Sequence, residues 1–199
     1  MTDAPLSPYE QIRTESWLRL RAAASDPRHP MRVCTVATVD EHDAPDARIL
    51  LLRGASESLG RLWFHCDRRS HKIEHLRRQP LVCVVTYDHG DGVQLRLRGP
   101  VTTRLDDSVA EQHWEQTGLA VRHAYRLSPP PGSTLVQRDP RTDHHRRHLE
   151  HQDDLDGREN FAVLEFEPKT IDWLQVSTLG DRRAMLRAAR GWEFEPLVP

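Results

Sequence analysis

Short apolar runs rich in β-branched and aromatic residues recur along the chain, separated by polar stretches punctuated with Asp, Pro and Gly. Val33–Val39 (VCTVATV), residues 49–52 (ILLL) and residues 62–66 (LWFHC) are of this kind. Their shortness and their bounding turn residues predict buried strands, not helices. Residues 81–87 (LVCVVTY), the turn DHGDG and residues 93–101 (VQLRLRGPV) predict a hairpin, in which Val93, Leu95 and Leu97 alternate with Gln94, Arg96 and Arg98. Residues 161–167 (FAVLEFE) and 170–177 (TIDWLQVS) alternate in the same way. The chain closes with two short strands about a turn at Arg190 and Gly191.

Helical signals are fewer. Ser7 followed by Pro8 reads as a cap and first helical residue, with Tyr9, Ile12, Leu18 and Leu20 as the apolar side of a helix over 7–24. Ser70 can cap a helix of roughly two turns that buries Ile73 and Leu76 and stops before Pro80. Asp106 or Asp107 opens a third, containing Val109 and Trp114 and ending near Gly118. The three prolines in LSPPPGS exclude regular structure there. Residues 118–160 form a long polar excursion, with part of a helix expected around 144–152. Seven or eight strands joined by tight turns predict a mainly β (α+β) fold, closed as an antiparallel barrel or sandwich with a few short peripheral helices.

Composition narrows the function classes. The 199 residues show no internal shift, which predicts one domain over 1–199. With 28 basic and 30 acidic residues the net charge is −2, so no general field favours nucleic acid or an anionic membrane. No apolar run approaches the ~20 residues that span a bilayer, and the N-terminus lacks a basic stretch followed by an apolar one, which predicts a cytoplasmic protein. Cys34, Cys66 and Cys83 each fall inside a predicted strand and read as reduced core thiols. His144, His145, His148 and His151 have helical spacing that could hold a metal, but in so polar a stretch a solvated helix is the simpler reading, and no metal site is assigned.

The residues that suggest chemistry stand where the first strands end. Arg48 offers a planar fork, Lys72 a point charge, and Ser70 a hydroxyl beside the free N–H groups of a helix start. These are parts of a phosphate site, although on pattern alone cations solvating the rim of a sheet are the simpler account. Arg96 and Arg98 read as a solvent-facing row by the same alternation. Trp17, Trp63 and Trp192 read as core. His65 reads equally as an acid or base and as a packed spectator.

Four pieces in order, TVATVDEHDAPDARILLLR, LWFHCDRRSHKIEHLRRQP, VQLRLRGPV and the tail IDWLQVSTLGDRRAMLRAARGWEFEPLVP, resemble the pyridoxamine 5′-phosphate oxidase family of FMN-binding split barrels. The resemblance implies a split β-barrel, FMN as cofactor, and a homodimer with the flavin at its interface. It implies that Arg48, Ile49, Leu50, Leu51 and Arg53 (the family's R-x-x-L-L-K stretch, through Leu52) hold the ring edge and phosphate. His65 and Cys66 match the aromatic-Thr pair, and Ser70, His71 and Lys72 match the phosphate turn. Gln94 matches a glutamine on the next hairpin, while Trp173 and Arg182 or Arg183 would come from the second subunit.

The chain also departs from that family. Arg53 stands where a lysine is usual, His113 at about a tyrosine, Thr117 near an arginine, and Thr178, Leu179 and Gly180 where an Arg-x-His precedes the Asp-Arg pair. The flavin site is therefore the more complete of the two sites. The resemblance implies an FMN-dependent oxidoreductase acting on a small molecule of unassigned identity, with no catalytic residue assigned. A true pyridoxamine/pyridoxine 5′-phosphate oxidase and a non-catalytic flavin-binding module stand as alternatives.

Overall fold

Strand β1 (Val33–Val39) alternates between core and outside, with Cys34, Val36 and Thr38 buried, and pairs antiparallel with β2 (Pro45–Ser56) in a register that sets Val33 against Leu51 and Val39 against Pro45. This is a computed structural model describing residues 8–127, 129–134 and 157–199. Strand β3 (Arg61–Asp67) follows, its pairing with β2 broken by a bulge between Leu52 and Gly54. Helix α2 (His71–Arg78) then leads to the hairpin of β4 (Leu81–Asp88) and β5 (Val93–Arg104). Beyond helices α3 (Ser108–Glu115) and α4 (Leu119–Arg122) come β6 (Phe161–Phe166), β7 (Thr170–Gln175), β8 (Arg182–Arg187) and β9 (Phe194–Leu197).

The order β4-β1-β2-β3-β6-β5, closed by pairing of β4 with β5, makes a six-stranded antiparallel barrel, and β7, β8 and β9 extend the sheet from β5. Strand β5 belongs to both halves. Its first part pairs with β4 and β7, and its last four residues pair with β6. The change of partner falls at Gly99 and Pro100. At Gly99 any Cβ would stand 1.9 Å from the carbonyl oxygen of Glu167, so only glycine lets the two chains approach this closely.

The expected fold class holds, with nine strands among the described residues where seven or eight were predicted. Helix α1 (Pro8–Ser25) matches the predicted 7–24, but its buried side is Ile12, Ser16, Trp17, Leu20 and Ala23, while Leu18 is half exposed. Spacings of four, four and three from Ile12 through Ser16 and Leu20 to Ala23 carry that stripe, which the sparse apolar count obscured. Of the tryptophans read as core, Trp17 is fully buried, whereas Trp63 and Trp192 are half-buried at the margins. The turn expected at Arg190 and Gly191 joins β8 to β9, and Gly191 takes the left-handed conformation in it. The expected helix around 144–152 and its histidines lie outside the described residues. No described helix is long and apolar enough to cross a membrane.

The core fills the barrel with Leu52, Leu62, Phe64, Val84, Leu95, Leu97, Leu164 and Phe166, and α1 packs against its wall through Trp17 and Leu20. A smaller cluster on the outer side of β6 joins Ala110, Tyr125, Phe161 and Val163, with Trp63 and Trp114 against it. Cys34 and Cys66 are buried and Cys83 half-buried, all three as free thiols. Burial pushes both buried thiols up to about 12, which leaves them protonated and unreactive.

Candidate functional site

Arg48 lies near the start of β2, and its guanidinium reaches across to β1. It donates to the Val36 carbonyl at 3.0 Å and to Thr38 Oγ1 at 2.9 Å, and it pairs with Asp46. A guanidinium has five N–H donors, so these three bonds leave two for another acceptor. Thr38 is shared with His75 of α2, whose Nδ1 is 3.0 Å from Thr38 Oγ1 and 3.6 Å from Asp46. Two signals of this polar cluster stand in the sequence: a threonine in an otherwise apolar strand, and a histidine on the buried side of a short helix.

Lys72, in the first turn of α2, is half-buried and has no hydrogen-bond or ion-pair partner among the described residues. Burial pulls its ammonium below the usual lysine range, and Arg48 nearby adds to this against the opposing pull of Cys66, Asp67 and Asp46. Two cations thus share a partly dehydrated corner at the start of a helix, whose first N–H groups have no partner within the helix. An anion there would supply the missing counter-charge. Ser70 occupies the cap position without a side-chain cap bond, and its buried hydroxyl instead donates to the Asp67 carbonyl. To serve as a phosphate donor it would have to give up that bond. His71 is exposed.

A second group gathers at the bulge in β2. Arg53 is half-buried, its guanidinium pulled down first by burial and then by Arg32, and it has no hydrogen-bond or ion-pair partner among the described residues. Beside it His65 Nε2 is 3.1 Å from His113 Nδ1, while His65 Nδ1 is buried without a partner. Burial, then His113 and Arg53, lower His65 to about 3. His113 is lowered by burial as well. Phe161 meets the His65 ring edge-on at 4.8 Å between centroids, and Tyr125 packs on Phe161. Burial raises the Tyr125 phenol, with Cys66 adding to the rise and Arg53 opposing it. His65 is therefore packed and uncharged, with one ring nitrogen still to be satisfied.

Ile49 and Leu51 stand on the outside of β2, 58% and 38% exposed, and Leu50 faces the barrel half-buried. Gln94 is half-buried on β5 with no side-chain partner among the described residues. Cys66 is buried, which leaves its backbone as the part a ligand could use.

Trp173 and Arg183 are not gathered with Arg48 and Lys72. They lie on β7 and β8, separated from β2 round the sheet by β1, β4 and β5. Trp173 is 2% exposed with its indole N–H unpartnered. Arg183 is taken up by the buried Asp172, donating through Nε at 3.0 Å and an NH2 at 2.9 Å. Arg182 lies over the Trp173 ring at 5.5 Å and donates to Gln175. Trp173, Asp181, Arg182 and Arg183 line one cavity of about 290 Å³ with Leu197. Arg96, read as a solvent-facing residue, is half-buried and pairs with Asp172, so only Arg98 of that row is exposed. The Asp172 hub was not legible, because an aspartate in a strand gives no sign of which arginines will flank it.

Comparison with known proteins gives this arrangement a context. Residues 14–104 match the family model described as "Pyridoxamine 5'-phosphate oxidase, FMN-binding domain". The pyridoxine/pyridoxamine 5′-phosphate oxidase of Azorhizobium caulinodans is 34% identical over 98 residues, 49% of this chain and 44% of that protein, so the chain spans about half the length of this relative. Two solved structures share the fold. A pyridoxamine 5′-phosphate oxidase-related, FMN-binding protein from Nostoc punctiforme has a TM-score of 0.74 at 22% identity, covering 98% of this chain and 100% of that one. PhzG from Burkholderia lata, solved with tetrahydrophenazine-1-carboxylic acid, also has a TM-score of 0.74, at 19% identity, covering 100% of this chain and 99% of that one. Residues 14–104, which carry Arg48, Arg53, Ser70, Lys72 and Gln94, are therefore similar to the FMN-binding domain of the pyridoxamine 5′-phosphate oxidase family.

Proposed function

We propose that this protein is an FMN-dependent oxidoreductase, in which Lys72, Arg48 and the first N–H groups of α2 hold the phosphate of the flavin. The observation that carries this reading is Lys72 itself, a half-buried ammonium beside a second cation with no counter-ion among the described residues. Such an arrangement costs stability unless an anion occupies it. When bound, FMN would supply hydride or electron transfer. Ile49 and Leu51 would offer an apolar surface, and the backbone of residues 49–51 and 65–66 would offer donors to the ring edge. Gln94 has a free amide for the same purpose.

The substrate would be a small molecule approaching Arg53, whose guanidinium is free to hold an anionic group. His65 and His113, both uncharged, would place a neutral hydrogen-bonding pair beside it.

The site is completed in this proposal by a second copy of the chain. Trp173 and Arg182 or Arg183 lie on β7 and β8, separated from β2 round the sheet by β1, β4 and β5. The outer face of β1, β2 and β4 exposes Val33, Ile49, Leu51, Leu81 and Tyr87, an apolar surface of the kind that marks an interface.

The test is the ultraviolet-visible spectrum of the purified protein after saturation with FMN and removal of free ligand. A bound flavin spectrum is expected, with mass analysis of the released ligand giving FMN. A colourless protein would overturn the proposal.

A further inference from the structure

Strands β5, β7 and β8 place Arg98, Thr170 and Arg187 in register across the sheet, Arg98 opposite Thr170 and Thr170 opposite Arg187. Register partners share a face, and neighbouring strands stand about 5 Å apart, so two guanidinium-bearing positions straddle one hydroxyl. The row below it is Arg96, Asp172 and Met185. These residues line a cavity of about 330 Å³, with Gly99 and Lys169 on its border, a size that suits a small ligand.

The donors in this cavity exceed the acceptors the protein supplies. Asp172 is shared by Arg96 and Arg183, Lys169 is paired with Glu167, and Arg187 donates to Glu195 at 2.8 Å. The Arg98 guanidinium has no hydrogen-bond or ion-pair partner among the described residues, and neither has the Thr170 hydroxyl. Arg96 Nε is buried and makes no hydrogen bond. Four cations line the cavity, Arg96, Arg98, Lys169 and Arg187, against the single carboxylate of Asp172 among its lining residues, and a buried N–H is left unmet.

We propose that this face is a second binding site, distinct from the corner at Lys72, for a small organic anion whose phosphate or carboxylate sits over Thr170 between Arg98 and Arg187. Arg98 and Arg187 grip the oxyanion, the Thr170 hydroxyl donates from below, and Leu81 and Met185 border the apolar body of the ligand. Its gripping residues, Arg98, Thr170 and Arg187, do not belong to that corner, while Leu81 also lies on the face proposed as the subunit interface, so the site borders that interface.

Calorimetric titration of the full chain at fixed ionic strength, with and without prior FMN saturation, tests this with inorganic phosphate and with succinate as probes. Saturable binding of at least one probe is expected, unchanged in Lys72→Ala, and weakened at least about tenfold in both Arg98→Ala and Thr170→Val, which each remove one bond to the anion. The tighter probe names the headgroup. Absence of binding in the wild type overturns the proposal. So does binding that survives in Arg98→Ala and Thr170→Val, or that disappears in Lys72→Ala, which would place the anion in the other corner.

Discussion

His65 Nε2 and His113 Nδ1 lie 3.1 Å apart, so one imidazole donates to the other while His65 Nδ1 is buried with no partner. A pair of this kind has two tautomeric arrangements, and each leaves both rings neutral. Protonating both rings would set two donors against each other, and protonating either one places a charge that burial already disfavours.

This pair predicts sensitivity to acid. His65 is lowered from 6.5 to about 3 by burial, then by His113 and Arg53. Between those values the unfolded chain takes up a proton that the folded protein refuses. Stability is therefore full above pH 6.5 and declines as pH falls towards 3, by at most about 1.4 kcal/mol per pH unit from this group. Urea unfolding at pH 8 and pH 5 should show a loss that is smaller in His65→Phe, and an equal loss in that variant would assign the effect to other groups.

Arg48 and Lys72 should separate in their effects on folding and on binding. Each substitution by alanine is expected to weaken FMN uptake by about 1.5–3 kcal/mol through loss of a charge-assisted bond. Arg48→Ala should also destabilise the free protein, because Asp46, Thr38 and the Val36 carbonyl lose a donor. Lys72→Ala should leave it as stable or more so, since a half-buried cation without a partner is removed. Flavin fluorescence titration and urea unfolding of the two variants check both halves.

Asp172 is the anion on which the outer sheet extension depends. Burial alone would raise its carboxyl, but hydrogen bonds from Arg183 and Arg96 outweigh this and hold it below the usual range. Asp172→Asn should cost about 3–5 kcal/mol, because two arginines then lose their shared partner. Asp106→Asn, which removes the exposed partner of Arg68, should cost no more than about 1 kcal/mol. Equal losses in thermal or urea unfolding would contradict the assignment.

Gly99 should tolerate no side chain. A Cβ there would stand 1.9 Å from the carbonyl oxygen of Glu167, which is tied to β5 through its own N–H on the Pro100 carbonyl. Gly99→Ala is expected to lose about 1–3 kcal/mol or more as β5 and the β6–β7 connection separate. At Gly118 a Cβ would meet nothing within 4 Å, so Gly118→Ala serves as the control and should be nearly neutral.

The strands were legible because each carries its own signal. Val93, Leu95 and Leu97 alternate with polar residues and are buried in that pattern. Helix α3 could be placed because Asp107 caps it, its side chain accepting from the Ala110 N–H as its position suggested. Leu18 was misplaced because α1 has few apolar residues and its stripe runs through Ser16 and Ala23. Arg48 and Lys72 were marked by type and position at the ends of elements. Arg96 was misread because alternation tells which face a side chain takes, not which carboxylate it meets there.

By itself the sequence determined where the chain turns, which residues alternate into the barrel and which cations stand near a helix start, since those properties follow from neighbours a few residues away. Only the tertiary structure decided that Arg183 is claimed by Asp172, that His65 meets His113, and that Arg98 and Arg187 flank Thr170. Those pairings join residues from separate strands and helices, and closing the sheet fixes a register that no local pattern encodes.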